Sequence, residues 1–158
     1  MTYEEIVKTC TLSVFRAAYS VCRQIQDAED ITQETFLAFC LKPPDTEDPE
    51  YIKAWLLRTA MNKASSLTRS FWRKYRTSLE EAPEPSFIPD ENSSALLEAV
   101  FSLPVRCRKV VHLHYLEGYS IKEIAAVLNI SEGTVKTQLY RGRALLKQKL
   151  KEEWYDEP

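Results

Sequence analysis

Ser120-Ile-Lys-Glu-Ile-Ala-Ala-Val-Leu-Asn-Ile-Ser131, continued by Glu132-Gly-Thr-Val-Lys-Thr-Gln-Leu-Tyr-Arg-Gly-Arg143, is the stretch from which the rest of the chain is read. Its first half predicts a short helix. Ser120 is placed to cap it, and Glu123, three residues on, completes a capping box. Ile121, Ile124, Ala125 and Leu128 recur at helical spacing and form one apolar stripe. Asn129 tolerates the left-handed conformation that stops a helix, and Ser131 caps a second helix. On that helix Val135, Leu139, Leu146 and Leu150 share one face, while Gly133, Lys136, Thr137, Tyr140 and Arg141 lie opposite. No acid occurs from Gly133 to Lys151. Two helices joined by a short turn, the second basic on its outer face, are what a DNA-reading helix-turn-helix requires.

Charge supplies the second signal. The formal net charge is only -2, but it is segregated. Eight acids and one base lie from Asp27 to Glu50, then seven bases and no acid from Tyr51 to Leu79. Six acids and no base follow from Glu80 to Glu98, then nine bases against three acids from Val100 to Leu150. Two basic blocks separated by acidic ones predict two nucleic-acid-facing surfaces on a chain with little net attraction to DNA. The 158 residues suffice for one ordinary domain or two small ones. No apolar run is long enough to span a membrane, and Met1-Thr-Tyr-Glu-Glu5 does not read as a signal peptide. Cys10, Cys22, Cys40 and Cys107 fall at no metal or redox spacing. They are expected as small apolar side chains of a reduced, cytoplasmic protein.

In chain order, one helix is expected from about Thr2 to Gln24, burying Ile6, Cys10, Val14, Ala17 and Val21. Asp27 caps the next, with Glu29 and Asp30 in a first turn where the helix dipole favours acids. Ile31, Thr35 and Ala38 line one face of it, Phe36, Leu37 and Phe39 widen its apolar surface, and Lys42-Pro-Pro44 ends it. Asp48 caps, and Pro49 opens, a third long helix with Ile52, Trp55, Leu56, Thr59 and Ala60 inward. Arg58, Lys63, Arg69, Arg73, Lys74 and Arg76 supply its charge, with Trp72 and Tyr75 interleaved. Bases mixed with rings suit single-stranded nucleic acid, since rings stack on exposed bases; Trp72 fits that role and a core role equally. From 77 to 93, Pro83, Pro85, Pro89 and acids predict a linker. Beyond it Ala95, Leu96, Ala99 and Val100 belong to one helix. Pro104 opens another, which carries Val110, Val111 and Leu113 to Glu117-Gly118. The expected fold is all-α: two small helical domains, 1–76 and 94–158, joined by a flexible acidic linker, 77–93, the C-terminal one a helix-turn-helix.

With these residues in place, the chain resembles bacterial RNA polymerase sigma factors, in particular the small two-domain extracytoplasmic-function (ECF) subgroup. Three signatures carry the resemblance: Asp27-Ala-Glu-Asp-Ile-Thr-Gln-Glu-Thr-Phe36, Ala54-Trp-Leu-Leu-Arg-Thr-Ala-Met-Asn62, and Leu103-Pro104 through Leu150, in that order along almost the whole chain. The resemblance implies that Asp30, Gln33, Glu34 and Leu37 contact the polymerase clamp. It implies that Asn62, Lys63, Ser66, Arg69, Trp72 and Arg73 meet the downstream promoter element on the separated strand. It further implies that Ser131, Thr134, Lys136, Thr137, Tyr140, Arg141 and Arg143 meet the upstream element as duplex. Two positions depart from the family pattern: Ser66 stands where an acid is common, and Gln138 where an Arg is usual. The implied partners are core RNA polymerase, promoter DNA as duplex and as separated strand, and an anti-sigma factor.

Two rival classes are weighed against this. A helix-turn-helix regulator that never docks on polymerase accounts for the C-terminal half but leaves Asp27 to Arg76 without a task. An enzyme fits poorly: Gly118, Gly133 and Gly142 are the only glycines, so a phosphate-cradling loop is not expected, and no nucleophile elbow or zinc motif occurs. His112 and His114, two apart on a helix, point to different faces and make a poor metal pair. No cofactor is expected, and catalysis is left to the polymerase.

Overall fold

The computed structural model describes the backbone of residues 2–75 and 94–155 and the side chains of 2–70 and 94–151. The linker read at 77–93 and the side chains of Trp72 and Arg73 lie outside the described residues. The chain divides into two compact units, Met1–Ala82 and Pro83–Pro158. All elements among the described residues are helical.

The first unit is three helices, α1 (Tyr3–Cys22), α2 (Ile25–Leu41) and α3 (Pro49–Tyr75), each packed on the other two. Thr2 and Glu5 close a capping box at the start of α1. Ile6, Cys10, Val14, Ala17 and Val21 are all buried, as their spacing predicts. α2 begins three residues earlier than expected. Arg23 takes a left-handed turn (φ 60°), so Gln24 becomes the N-cap, and it makes no side-chain cap bond. Asp27 is therefore inside the first turn rather than at the cap, where the helix dipole still favours its charge.

α3 starts as read, with Asp48 Oδ1 accepting from the Glu50 N–H at 3.1 Å. It then continues unbroken for 27 residues. No glycine follows Pro49 within it, and no second proline, so nothing in the sequence stops the helix near Ser66. Its buried set, Ile52, Leu56, Leu57, Ala60, Met61 and Ala64, is broader than the stripe read from periodicity, because α3 packs on α1 and α2 at once. Trp55 and Thr59 are half-buried.

The second unit comprises α4 (Ala95–Phe101), α5 (Val105–Val111), a π-helical turn (His112–Leu116), α6 (Ile121–Leu128) and α7 (Glu132–Tyr155). α7 is its spine and packs on α4, α5 and α6. Ala95 and Leu96 lie on α4 but face solvent; Ala99 and Phe101 carry its packing. Between α4 and α5 the fully buried Arg108 donates through Nη1 to the carbonyls of Leu103 (2.7 Å) and Phe101 (3.4 Å). Its charge thus satisfies carbonyls that the turn leaves without helical partners. Ser120 and Glu123 form the expected capping box, and Asn129 is left-handed (φ 55°). On α6, Ile124 and Val127 are buried and Ile121, Ala125 and Leu128 half-buried. The stripe is rotated toward Val127 because α6 also meets the π-helical turn. Among the described residues no helix is long and apolar enough to cross a membrane.

Candidate functional site

Three surfaces gather the residues singled out by the sequence. The first is the outer face of α2. Asp30, Gln33, Glu34 and Leu37 are all exposed, and their spacing puts them on one face. Leu41 extends that face by another turn and is 77% exposed; Leu37 is 57% exposed. The opposite face buries Ala28, Ile31, Thr35 and Phe39. The stripe is acidic at its N-terminal end and apolar at its C-terminal end. Two leucines exposed one turn apart at the end of an acidic face form a small apolar patch that a partner could cover. Leu41 was missed in the sequence, where it reads as the last apolar residue before Lys42-Pro43.

The second surface is an open groove between α2 and α3. Asp27, Asp30, Ile31 and Glu34 line one wall; Thr59, Asn62, Lys63, Ser66, Leu67 and Ser70 line the other. The groove brings the acids of the first surface beside Asn62, Lys63 and Ser66. Asn62 is exposed in the middle of α3, so it neither caps nor ends that helix. Arg69 donates through Nη2 to Ser66 Oγ at 3.3 Å, one turn along the same exposed edge. Met61, beside Asn62 in the chain, is 1% exposed and belongs to the core.

The third surface is α7. Ser131 Oγ accepts from the Thr134 N–H at 3.1 Å and shares a hydroxyl bond with Thr134 Oγ1 at 2.8 Å, which fixes the start of the helix. Val135 and Leu139 are buried; Lys136, Thr137, Tyr140, Arg141 and Arg143 are exposed, Tyr140 to 74%. Lys136, Tyr140 and Arg143 follow one edge at helical spacing. Arg141 lies roughly 160° around the axis from Arg143, at about 100° per residue. The two arginines therefore flank the exposed face from opposite sides.

Gln138 is half-buried and turns toward α5, where its Oε1 accepts from the Cys107 thiol at 3.2 Å. Burial pushes that thiol's pKa up, and the Arg141 charge opposes the shift. Gln138 thus lies on the packed side of the helix. Of the two histidines, His112 is buried, while His114 Nδ1 lies 2.9 Å from the Tyr119 carbonyl.

Two family models match the chain: Sigma-70 region 2 over residues 6–74 and Sigma-70, region 4 over residues 93–146. The ECF RNA polymerase sigma factor SigW of Bacillus subtilis is 27% identical, over 95% of this chain and 89% of its own length. The RNA polymerase sigma factor SigV of the same organism is 30% identical, over 88% of this chain and 85% of its own. Among solved structures, the sigma factor RpoE of Bartonella quintana, determined in complex with the anti-sigma factor NepR, shares the fold. Its TM-score is 0.77 at 23% identity, covering 94% of this chain and 96% of that one.

Proposed function

Because the chain belongs to the sigma-70 family, in its ECF group, it is a subunit that directs promoter-specific transcription initiation by RNA polymerase, and we propose how its two units divide that work. Residues 1–76 bind core polymerase and read the downstream element, 94–158 read the upstream element, and 77–93 tether them. The single observation that carries this division is the exposed α2 stripe, acidic at Asp30 and Glu34 and apolar at Leu37 and Leu41. A helix-turn-helix regulator acting alone has no use for it.

Upstream, α7 enters the major groove. Lys136, Arg141 and Arg143 meet phosphates and set position, while Ser131, Thr134, Thr137 and Tyr140 reach toward base edges and set sequence. Downstream, a base leaves the stack, at a cost of a few kcal/mol, and is read at Asn62 with Lys63 and Ser66 beside it. Arg69 and Arg73 hold the backbone of the separated strand, and Trp72 supplies a ring on which a base can stack. The partners are core polymerase, promoter DNA in both states, and an anti-sigma factor of the kind seen with RpoE. Polymerase carries the catalysis.

Size-exclusion chromatography with core polymerase tests the docking half of this proposal. Co-elution of the chain with core, abolished by Asp30→Lys with Glu34→Lys while helical circular dichroism is unchanged, is the expected result. Co-elution that survives both reversals removes α2 from the interface.

A further inference from the structure

Gly142 marks where α7 crosses the end of α5. A Cβ placed there would stand 2.8 Å from Cγ2 of Val111, closer than side chains approach. The bare glycine lets the end of α5 lie against α7, and the chain then passes directly into the π-helical turn, His112–Leu116. Such turns are uncommon and frequently lie at functional sites. The side chain that matters here is Tyr115, within the turn. It stands four residues past Val111, and it meets Arg143, the residue after Gly142. Arg143 Nε donates to the Tyr115 hydroxyl, and the guanidinium carbon lies 5.6 Å from the ring centroid. That separation is near the outer reach of a cation–π contact, so the hydroxyl carries most of the interaction. The ring is held in turn by an edge-on contact with His114, at 4.9 Å between centroids and 81° between planes. His114 is itself tied to the Tyr119 carbonyl.

We propose that Tyr115 is a positioning residue for upstream-element binding: it holds Arg143 by Nε so that the terminal Nη1/Nη2 fork faces the DNA backbone. A guanidinium has five N–H donors in a rigid plane, and engaging Nε leaves the end-on pair for a phosphate. An arginine on an exposed helix face otherwise samples many rotamers, and ordering it on binding costs conformational entropy. Tyr115 meets that cost before DNA arrives. Although 55% exposed, Tyr115 is a polar-tipped aromatic anchored at both ends rather than a stray surface ring.

The inference rests on Arg143 being a DNA contact, and the test separates the two. Holoenzyme is reconstituted with the full chain. Its affinity is measured, as a function of salt, for the promoter duplex that wild-type holoenzyme selects from a randomised pool. Arg143→Ala is expected to weaken binding and to lower the salt slope by about one unit. Tyr115→Phe is expected to weaken binding about fivefold, the worth of one hydrogen bond, with the salt slope and the thermal midpoint kept, because charge and packing are retained. In the Arg143→Ala background Tyr115→Phe should have no further effect. If Arg143→Ala leaves affinity and slope unchanged, its DNA contact is wrong and the positioning role falls with it. If Arg143→Ala weakens binding but Tyr115→Phe acts equally in both backgrounds, or in neither, only the positioning role is overturned.

Discussion

Leu37 stands two helical turns beyond Asp30 on the same outer face of α2, and both are exposed. The pair defines a docking stripe with a charged end and an apolar end. Polar steering and apolar burial are thereby separated along one helix, and they are open to separate mutation. Leu37→Ala should weaken core-polymerase binding by about 1.5–3 kcal/mol, the worth of burying a leucine side chain at the interface. The unfolding midpoint of the free protein should not move. Isothermal titration with core enzyme checks the first part and thermal melting the second. A drop in the midpoint would mean that Leu37 stabilises the fold instead.

Asn62 is exposed mid-helix, one turn from Ser66 along the α2–α3 groove. Its amide can donate and accept at the edge of an unstacked base. Asn62→Ala should therefore lower initiation on duplex and on pre-opened templates alike, and remove discrimination at one downstream base. Trp72→Ala should be rescued by pre-opening if its ring assists strand opening, since the unstacking cost is then already met. Transcription from templates differing at single downstream positions reads both effects. Base discrimination retained by Asn62→Ala on the pre-opened template would return Asn62 to a structural role.

Gly142→Ala sets two effects against each other. Alanine favours the helix by about 1 kcal/mol over glycine, but its Cβ meets Val111 Cγ2, and overpacking costs about 1–3 kcal/mol. The branched valine has little rotamer freedom with which to yield, so the net change should be a loss on the order of 1 kcal/mol. The sign should reverse in a Val111→Ala background, where the obstructing methyl is gone. Urea unfolding of the four proteins decides; a stabilising Gly142→Ala in the wild-type background would mean that α5 moves aside freely.

Local signals carried far in this sequence. The Ser120–Glu123 capping box, the left-handed Asn129, the Asp48-Pro49 start and the buried stripe of α1 are each set by neighbours a few residues away, and each is found as read. What escaped depends on packing between elements. Met61 and Leu57 are buried because α3 meets two helices at once, which no single periodic stripe records. The start of α2 depends on a left-handed arginine, an uncommon conformation without sequence signature. Tyr115 was not legible at all. Its partner is 28 residues away, and it lies within a π-helical turn that hydrophobic spacing does not encode.

The capping box also predicts a pH dependence. The Ser120 backbone N–H, and then its hydroxyl, hold the Glu123 carboxyl below its ordinary 4.5. A lowered folded-state pKa contributes stability above the ordinary value, and that contribution is lost as pH falls through the folded value. Glu123→Gln retains an acceptor but does not titrate. The stability difference between wild type and Glu123→Gln should therefore be constant near neutrality and change only below about pH 4.5, as the carboxylate takes up its proton. A difference independent of pH from neutral to pH 3 would show that the charge of Glu123 adds nothing to the cap.

The most direct measurement is transcription on randomised templates by core polymerase with and without this chain, with start sites mapped. The predicted result is a set of discrete starts, absent with core alone, whose templates share one upstream and one downstream motif; Asp30→Lys with Glu34→Lys abolishes them. Starts no more specific than those of core alone, from a chain that by itself selects a duplex motif, would contradict the assignment and leave a helix-turn-helix regulator in its place.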